Sequence, residues 1–121
     1  MTKKISNSEE LVLLMAEAVK EKKGDNIKIL DLRGLGYAVT DFFLVCEAQS
    51  STQVNAIFES IDDMVKQKLD QDPFQIEGKE EASWILMDYV DVVAHIFKPE
   101  AREFYRLEAL WADAKIKNIN Y

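Results

Sequence analysis

The chain has 121 residues, of which 48% are hydrophobic and 31% charged, a balance that fits one soluble globular domain with a real core. Its net charge of -7 argues against a basic nucleic-acid-binding face, so little or no direct nucleic-acid binding is expected. The acidity favours a basic protein partner or simply maintains solubility. No apolar run is long enough to cross a membrane. A single cysteine and no secretory-signal pattern favour the reducing cytoplasm.

The first half of the chain is predicted to alternate helices and strands. The expected elements are a helix capped by Ser6, Asn7 or Ser8 and ending by about Lys23, strands at 27–32 and 42–46, and a helix over about 51–69. Cys46 lies within the second strand and has no basic neighbour to lower its pKa. We therefore expect it to be a small buried residue rather than a nucleophile.

The second half is predicted to be richer in strands. The expected elements are an edge strand at 74–77, strands at 84–89 and 92–97, a last helix that starts at Pro99 with Phe104, Leu107, Leu110 and Trp111 on its apolar side, and a loose tail at 115–121. This order predicts one α/β domain over residues 1–121, with its core at about 8–113. Its mixed sheet would have about five strands and flanking helices.

The two adjacent strands at 84–89 and 92–97 do not alternate cleanly between apolar and polar residues. Trp84 and Leu86 would point to one face, and Ile85, Met87 and Tyr89 to the other. Continuous apolar strands are typical of sheets covered on both faces. Either helices cover both faces here, or one face is kept apolar for a partner; for Trp84 the pattern favours neither.

Acidic residues at strand ends are the best candidates for catalysis. Asp41, Asp88 and Asp91, with Asp31 as a further candidate, could bind Mg²⁺ for phosphoryl or nucleotidyl transfer. The chain lacks a phosphate-binding loop, however, and aspartates also occur in turns for conformational reasons. His95, flanked by Ala94 and Ile96, is expected to pack against the sheet rather than act as a base or ligand. We expect no enzyme activity, cofactor or metal.

Several segments in collinear order carry a resemblance to a known family. They are TDFFLVC at 40–46, residues 50–54, Gly78 with WILMDY at 84–89, DVVAHIF at 91–97 and REFYRLEALW at 102–111. Over about residues 8–113 this order closely resembles the ribosomal silencing factor family (RsfS, Iojap-related), and it is more specific than any single motif. Val90 departs from the family, which usually has glycine there, so a wider turn is expected.

The resemblance implies a cytoplasmic protein with a nucleotidyltransferase-like fold and no established enzymatic activity. Such a protein binds ribosomal protein uL14 on the large ribosomal subunit, blocks association with the small subunit, represses translation and negatively regulates ribosome biogenesis. Trp84 would be the anchor of the uL14-binding surface, with Asp88, Tyr89 and Asp91 as contacts. An uncovered Trp and Leu face would also let the free protein form a homodimer. The alternative is a nucleotide-binding or nucleotidyltransferase-like protein that uses Asp41, Asp88 and Asp91.

Overall fold

The order of helices and strands follows the apolar patterns except near the C-terminus. A computed structural model describes residues 7–120, so the candidate cap Ser6 and the terminal Tyr121 lie outside the described residues. The elements are α1 (Asn7–Glu21), β1 (Asp25–Asp31), β2 (Phe42–Glu47), α2 (Ser51–Leu69), β3 (Gln75–Glu77), β4 (Trp84–Asp88), β5 (Val92–Phe97), α3 (Pro99–Tyr105), α4 (Leu107–Leu110) and β6 (Lys115–Ile119). None of the described helices is long and apolar enough to cross a membrane.

The described strands form one mixed sheet in the order β3-β4-β5-β2-β1-β6. Strands β2 and β5 are parallel, and every other neighbouring pair is antiparallel. The expected mixed α/β architecture is therefore confirmed, but with six strands rather than about five. Strand β2 pairs with β5, and five of its six residues, Phe42 to Cys46, are buried, as expected for a central strand.

The expectation of a loose tail at 115–121 is wrong for its first five residues. Strand β6 pairs antiparallel with β1, with Lys115 opposite Asp31 and Ile119 opposite Ile27. The segment reads Lys-Ile-Lys-Asn-Ile, and its lysines resemble those that protect exposed sheet edges. The segment is held as a strand by pairing with β1. Because β1 is distant in sequence, a local pattern could not predict this pairing.

The two faces of the sheet are covered unequally. On the first face, α1 and α2 bury the larger core cluster, which includes Met15, Leu44, Ile61 and Ile85 at 0% exposure. On the second face, a smaller cluster around Leu30, Val45 and Phe97 is covered by short helices α3 and α4 and by the loop after β1. The second face therefore offers less cover, and Trp84 lies at its margin, half-buried.

The expected last helix is broken at Arg106. This residue has a left-handed backbone with φ 50 and its N–H bonds the carbonyl of Arg102, so α3 ends there and α4 starts at Leu107. Leu107 is buried against the second face, whereas Phe104 and Leu110 are exposed. The predicted apolar stripe is therefore wrong for those two residues, because the two short helices do not form the single continuous helix on which the stripe was based.

The turn between β4 and β5 is tight rather than wide. Val90 adopts a left-handed backbone with φ 75, and its N–H donates to Oδ1 of Asp88 at 2.7 Å. The N–H of Tyr89 also donates to the carbonyl of Val92 at 2.9 Å. Valine thus occupies the conformation that glycine adopts more easily, and the expected wider turn is wrong.

Candidate partner-binding surface

Trp84 begins β4 and packs across the second face against aromatic residues from two other elements. Its ring stacks on Phe97 of β5 with centroids 4.9 Å apart, and Tyr105 at the end of α3 lies 4.6 Å away. Tyr105 itself is 50% exposed. Trp84 is therefore a half-buried aromatic side chain, between core and surface. Its contacts with Phe97 and Tyr105 fix its orientation.

The orientation of Trp84 is also fixed by His95. The indole Nε1 donates a hydrogen bond to Nδ1 of His95 at 3.1 Å, and His95 is only 3% exposed. Because Nδ1 accepts, the imidazole proton sits on Nε2. Burial lowers the pKa of His95 to about 4, so the ring is neutral near pH 7. The prediction that this histidine packs in the sheet is confirmed.

An open cleft of about 560 Å³, the Trp84 cleft, lies beside Trp84. Its apolar wall is formed by Trp84, Tyr105 and Ile76. Its rim is the turn between β3 and β4, which contributes Lys79, Glu80 and Glu81. The cleft thus combines an aromatic wall with two carboxylates at the margin of the less-covered face.

The predicted contacts Asp88 and Asp91 lie at the far end of the same strands. Asp88 shares the face of Trp84, because residues two and four apart in a strand point the same way, but it lies about 13 Å further along β4. It is half-buried, and Asp91 is exposed. Asp88 holds the turn through Val90, and the Asp91 carbonyl accepts from the N–H of Asp41 at 2.8 Å.

Tyr89 does not share the surface of Trp84. It is 6% exposed and packs in the larger core cluster on the first face. Burial raises the pKa of its hydroxyl. The expectation that Tyr89 contacts a partner beside Trp84 therefore needs correction, because strand alternation places it on the helix-covered side.

Two of the three aspartates of the nucleotide-binding alternative, Asp41 and Asp88, use their carboxylates in local hydrogen bonds, and Asp91 is bonded through its backbone. Asp41 accepts a hydrogen bond from the hydroxyl of Ser8 at 2.8 Å, and the Arg33 guanidinium holds the pKa of Asp31 below its usual value. Within residues 7–120, no three His, Cys, Asp or Glu side chains are grouped as ligands for a metal ion. Cys46 is buried as predicted, and burial raises its pKa to about 12. The geometry does not favour nucleotide chemistry.

Sequence reasoning missed Tyr105, Glu80 and Glu81 as parts of this surface. The sequence pattern assigned no role to the two glutamates, and Tyr105 lay within a helix whose break was not foreseen. Gly78, the residue just before the turn, was the one feature of the sequence that could have indicated this packing. A Cβ at Gly78 would lie 2.0 Å from the carbonyl oxygen of Trp84, so the turn packs directly on the start of β4.

Known proteins that are similar in sequence to this chain include ribosomal silencing factors. The family model described as ribosomal silencing factor during starvation matches residues 5–120. The ribosomal silencing factor RsfS of Bacillus subtilis is 36% identical over 118 residues, covering 95% of this chain and 96% of the relative. A crystal structure of a Chromobacterium violaceum protein superposes with a TM-score of 0.82 at 33% identity, covering 88% of each chain.

A eukaryotic relative matches over a shorter region. The mouse protein named mitochondrial assembly of ribosomal large subunit protein 1 is 36% identical over 74 residues, which are 60% of this chain and 32% of the relative. Together the fold and these matches define the class as regulatory, ribosome-associated factors. The chain belongs to the ribosomal silencing factor family.

Proposed function

We propose that this protein represses translation by binding ribosomal protein uL14 on the large ribosomal subunit and sterically blocking association with the small subunit. It would act in the cytoplasm, where free large subunits are found. The observation that carries the proposal is the half-buried Trp84 at the margin of the less-covered sheet face, flanked by the exposed Tyr105. Aromatic residues held rigidly at such a margin are typical anchors of protein interfaces.

The placement of Trp84 supports a docking role in two ways. Its orientation is already fixed by Phe97 and His95, so little side-chain entropy would be lost when a partner covers the remaining surface. The nearby surface also carries further apolar area in Tyr105 and Ile76. Apolar area that is preorganised and still accessible is what a docking surface requires.

Charge supports a basic protein as the partner. The chain carries a net charge of -7, and exposed acidic residues occur both beside Trp84, at Glu80 and Glu81, and at the far end of β4 and β5, at Asp91. Acidic surfaces attract basic ribosomal proteins and repel RNA phosphates. The mouse relative's name refers to the large ribosomal subunit, which agrees with a large-subunit target for this chain.

The same surface would be available for self-association of the free protein. Exposed Phe104 and Tyr105 lie next to each other on α3, with ring centroids 5.0 Å apart. A homodimer through this surface would compete with ribosome binding. Light scattering at increasing protein concentration tests it: a mass that stays monomeric throughout excludes the homodimer without affecting the ribosome proposal.

The nucleotide-binding alternative gains no support from a specific observation. Asp41, Asp88 and Asp91 hold turns and strand ends through hydrogen bonds. The nucleotidyltransferase-like description of the fold remains an implication of the family resemblance. Calorimetry with millimolar nucleotide and Mg²⁺ checks the alternative, and binding that is lost in Asp88→Asn would revive it.

The experiment that tests the proposed function is co-sedimentation with purified large subunits, followed by addition of small subunits. We expect the wild-type protein to co-sediment and to reduce subunit joining, and Trp84→Glu to do neither. The matched control Glu59→Lys changes an exposed residue on α2, on the opposite side of the sheet. Circular dichroism and an unfolding curve check that Trp84→Glu is folded. Normal joining in the presence of bound wild-type protein would contradict the blocking mechanism.

A further inference from the structure

The Trp84 cleft has two unlike halves whose combination points to one kind of ligand. Trp84, Tyr105 and Ile76 form an apolar wall, and Glu80 and Glu81 stand at the rim of the same open cleft of about 560 Å³. Few side chains match both halves. Lysine and arginine do, because they have long apolar stems that pack on hydrophobic surfaces and charged ends that reach polar surroundings.

The wall presents no hydrogen-bond donor from the indole. The Nε1–H of Trp84 is directed inward and is used by His95. A partner group that covers the remaining indole surface therefore meets carbon atoms. This surface suits the methylene stem of a long side chain, and the indole offers no hydrogen bond to a partner carbonyl or phosphate.

The turn that carries the two glutamates is fixed to the sheet. Gly78 has φ +83 and packs against the carbonyl of Trp84 so closely that no larger residue fits. The N–H of Ala82 donates to the carbonyl of Gly78 at 3.0 Å, and that of Lys98 to the carbonyl of Ser83 at 2.8 Å. The backbone of the rim is therefore held at both ends, next to the aromatic wall.

The two carboxylates have no cation of their own. Neither Glu80 nor Glu81 has a side-chain hydrogen bond or ion pair with any of residues 7–120. The nearest lysine in sequence, Lys79, is turned toward α2, where its ammonium lies 4.8 Å from the ring centroid of Phe58. Lys79 also lines the cleft, but its ammonium is engaged with Phe58, so Glu80 and Glu81 are the rim charges available to a partner.

We propose that the Trp84 cleft receives one lysine or arginine side chain of the ribosomal protein on which this surface docks. The stem lies against Trp84 and Tyr105, and the cationic end pairs with Glu80 and Glu81. This inference rests on the proposed function and deepens it. It specifies the chemistry of the partner group and adds the two glutamates as specificity-determining residues.

The test measures binding of purified uL14 to three forms of the full chain at low and high salt. The first is the wild type, and the second is Glu80→Gln/Glu81→Gln. The third is the matched control Glu17→Gln/Glu59→Gln, which removes the same charge from exposed positions on α1 and α2. We expect the cleft variant to bind about tenfold more weakly at low salt and with a shallower salt dependence, because two short-range charge pairs are lost. The control should stay within about twofold, because its charges lie away from the interface.

A charge-swap experiment then identifies the partner side chain. Glu80→Lys/Glu81→Lys should abolish binding at low salt, and one uL14 variant with a single lysine or arginine changed to glutamate should restore it. If the cleft variant behaves like its control while Trp84→Ala abolishes binding, the inference is wrong and the proposed function stands. If neutralising the glutamates tightens binding to large subunits, RNA phosphates face the cleft, and the inference is also wrong. If the wild type does not bind uL14 or large subunits, the proposed function fails and this inference fails with it.

Discussion

The indole Nε1 of Trp84 donates its hydrogen to Nδ1 of His95 across β4 and β5, over 3.1 Å. Because Trp84 is opposite Phe97 and Leu86 is opposite His95, the pair is a diagonal one on the same face of an antiparallel ladder. The bond satisfies a donor that would otherwise be half-buried without a partner. It also connects the candidate anchor of the surface to a residue at the centre of the sheet.

The Trp84–His95 bond should appear as a coupling energy in a double-mutant cycle. His95→Phe keeps an aromatic ring but removes the acceptor, and Trp84→Phe removes the donor. We expect the double variant to be more stable than the sum of the single changes predicts, by about 1 kcal/mol. Urea unfolding of the four proteins measures it. Additive free energies would show that the bond contributes nothing to stability.

The neutral state of His95 predicts a loss of stability in mild acid. Burial lowers its folded-state pKa to about 4, below the ordinary value of about 6.5. Between these values the unfolded chain binds a proton that the folded chain does not. The free energy of unfolding is therefore highest above about pH 6.5. It falls toward pH 4 by about 1.4 kcal/mol per pH unit within that window.

Urea unfolding of the wild type and of His95→Phe between pH 7.5 and 5 tests this assignment. The wild-type curve should fall with decreasing pH, and the variant curve should be flatter. Hydrogen bonds from Arg33 and Arg102 lower the pKa values of Asp31 and Glu108. These two carboxylates lose their contribution only below their ordinary pKa values of 3.8 and 4.5, outside the measured range. Parallel curves would contradict the role of His95.

The central strands could be predicted from sequence, whereas the surface around Trp84 could be predicted only in part. The continuous apolar pattern from Trp84 to Phe97 correctly indicated two adjacent strands, and alternation correctly placed Trp84 and Leu86 on one face. The same alternation places Tyr89 on the other face. The family resemblance implied Tyr89 as a contact near Trp84, but an odd separation along a strand places two side chains on opposite faces.

The features that sequence could not supply depend on distant contacts. Strand β6 is held by the edge of β1. The break at Arg106 is accompanied by a pair between Arg102 and Glu108, which lie on opposite sides of it. The Trp84 cleft needs both that break, which ends α3 at Tyr105, and the packing of Gly78 on β4. A local pattern carries none of this information.

Val90→Gly should stabilise the protein. Valine holds a left-handed backbone with φ 75 at this position, which costs a β-branched residue of order 1–3 kcal/mol. Glycine adopts the conformation without that strain but loses more entropy on folding, so we expect a net gain of about 1 kcal/mol. The control Val39→Gly removes an exposed valine that has no positive φ. Thermal unfolding measures both, and a Val90→Gly variant no more stable than wild type would contradict the strain.

Arg102→Leu should destabilise the last helices. The Arg102 guanidinium donates to both carboxylate oxygens of Glu108 at 3.0 Å, and it lies 3.6 Å from the largely buried Glu47. Removing Arg102 leaves Glu47 without its cation and Glu108 with only Lys28, 3.4 Å away, which costs about 3 kcal/mol. The control Arg106→Leu changes an exposed arginine with no ion pair within residues 7–120 and should cost under about 0.5 kcal/mol. Equal losses in the two variants would contradict this role.

Photo-crosslinking from position 105 tests most directly whether the surface beside Trp84 meets uL14. Tyr105 is replaced by a benzophenone amino acid, because its exposed ring lies 4.6 Å from that of Trp84, and Glu59 on α2 carries the same group as a control. After irradiation with purified large subunits, we expect a crosslink to uL14 from position 105 and none from position 59. Crosslinks from position 105 only to other ribosomal components, or to uL14 only from position 59, would contradict it.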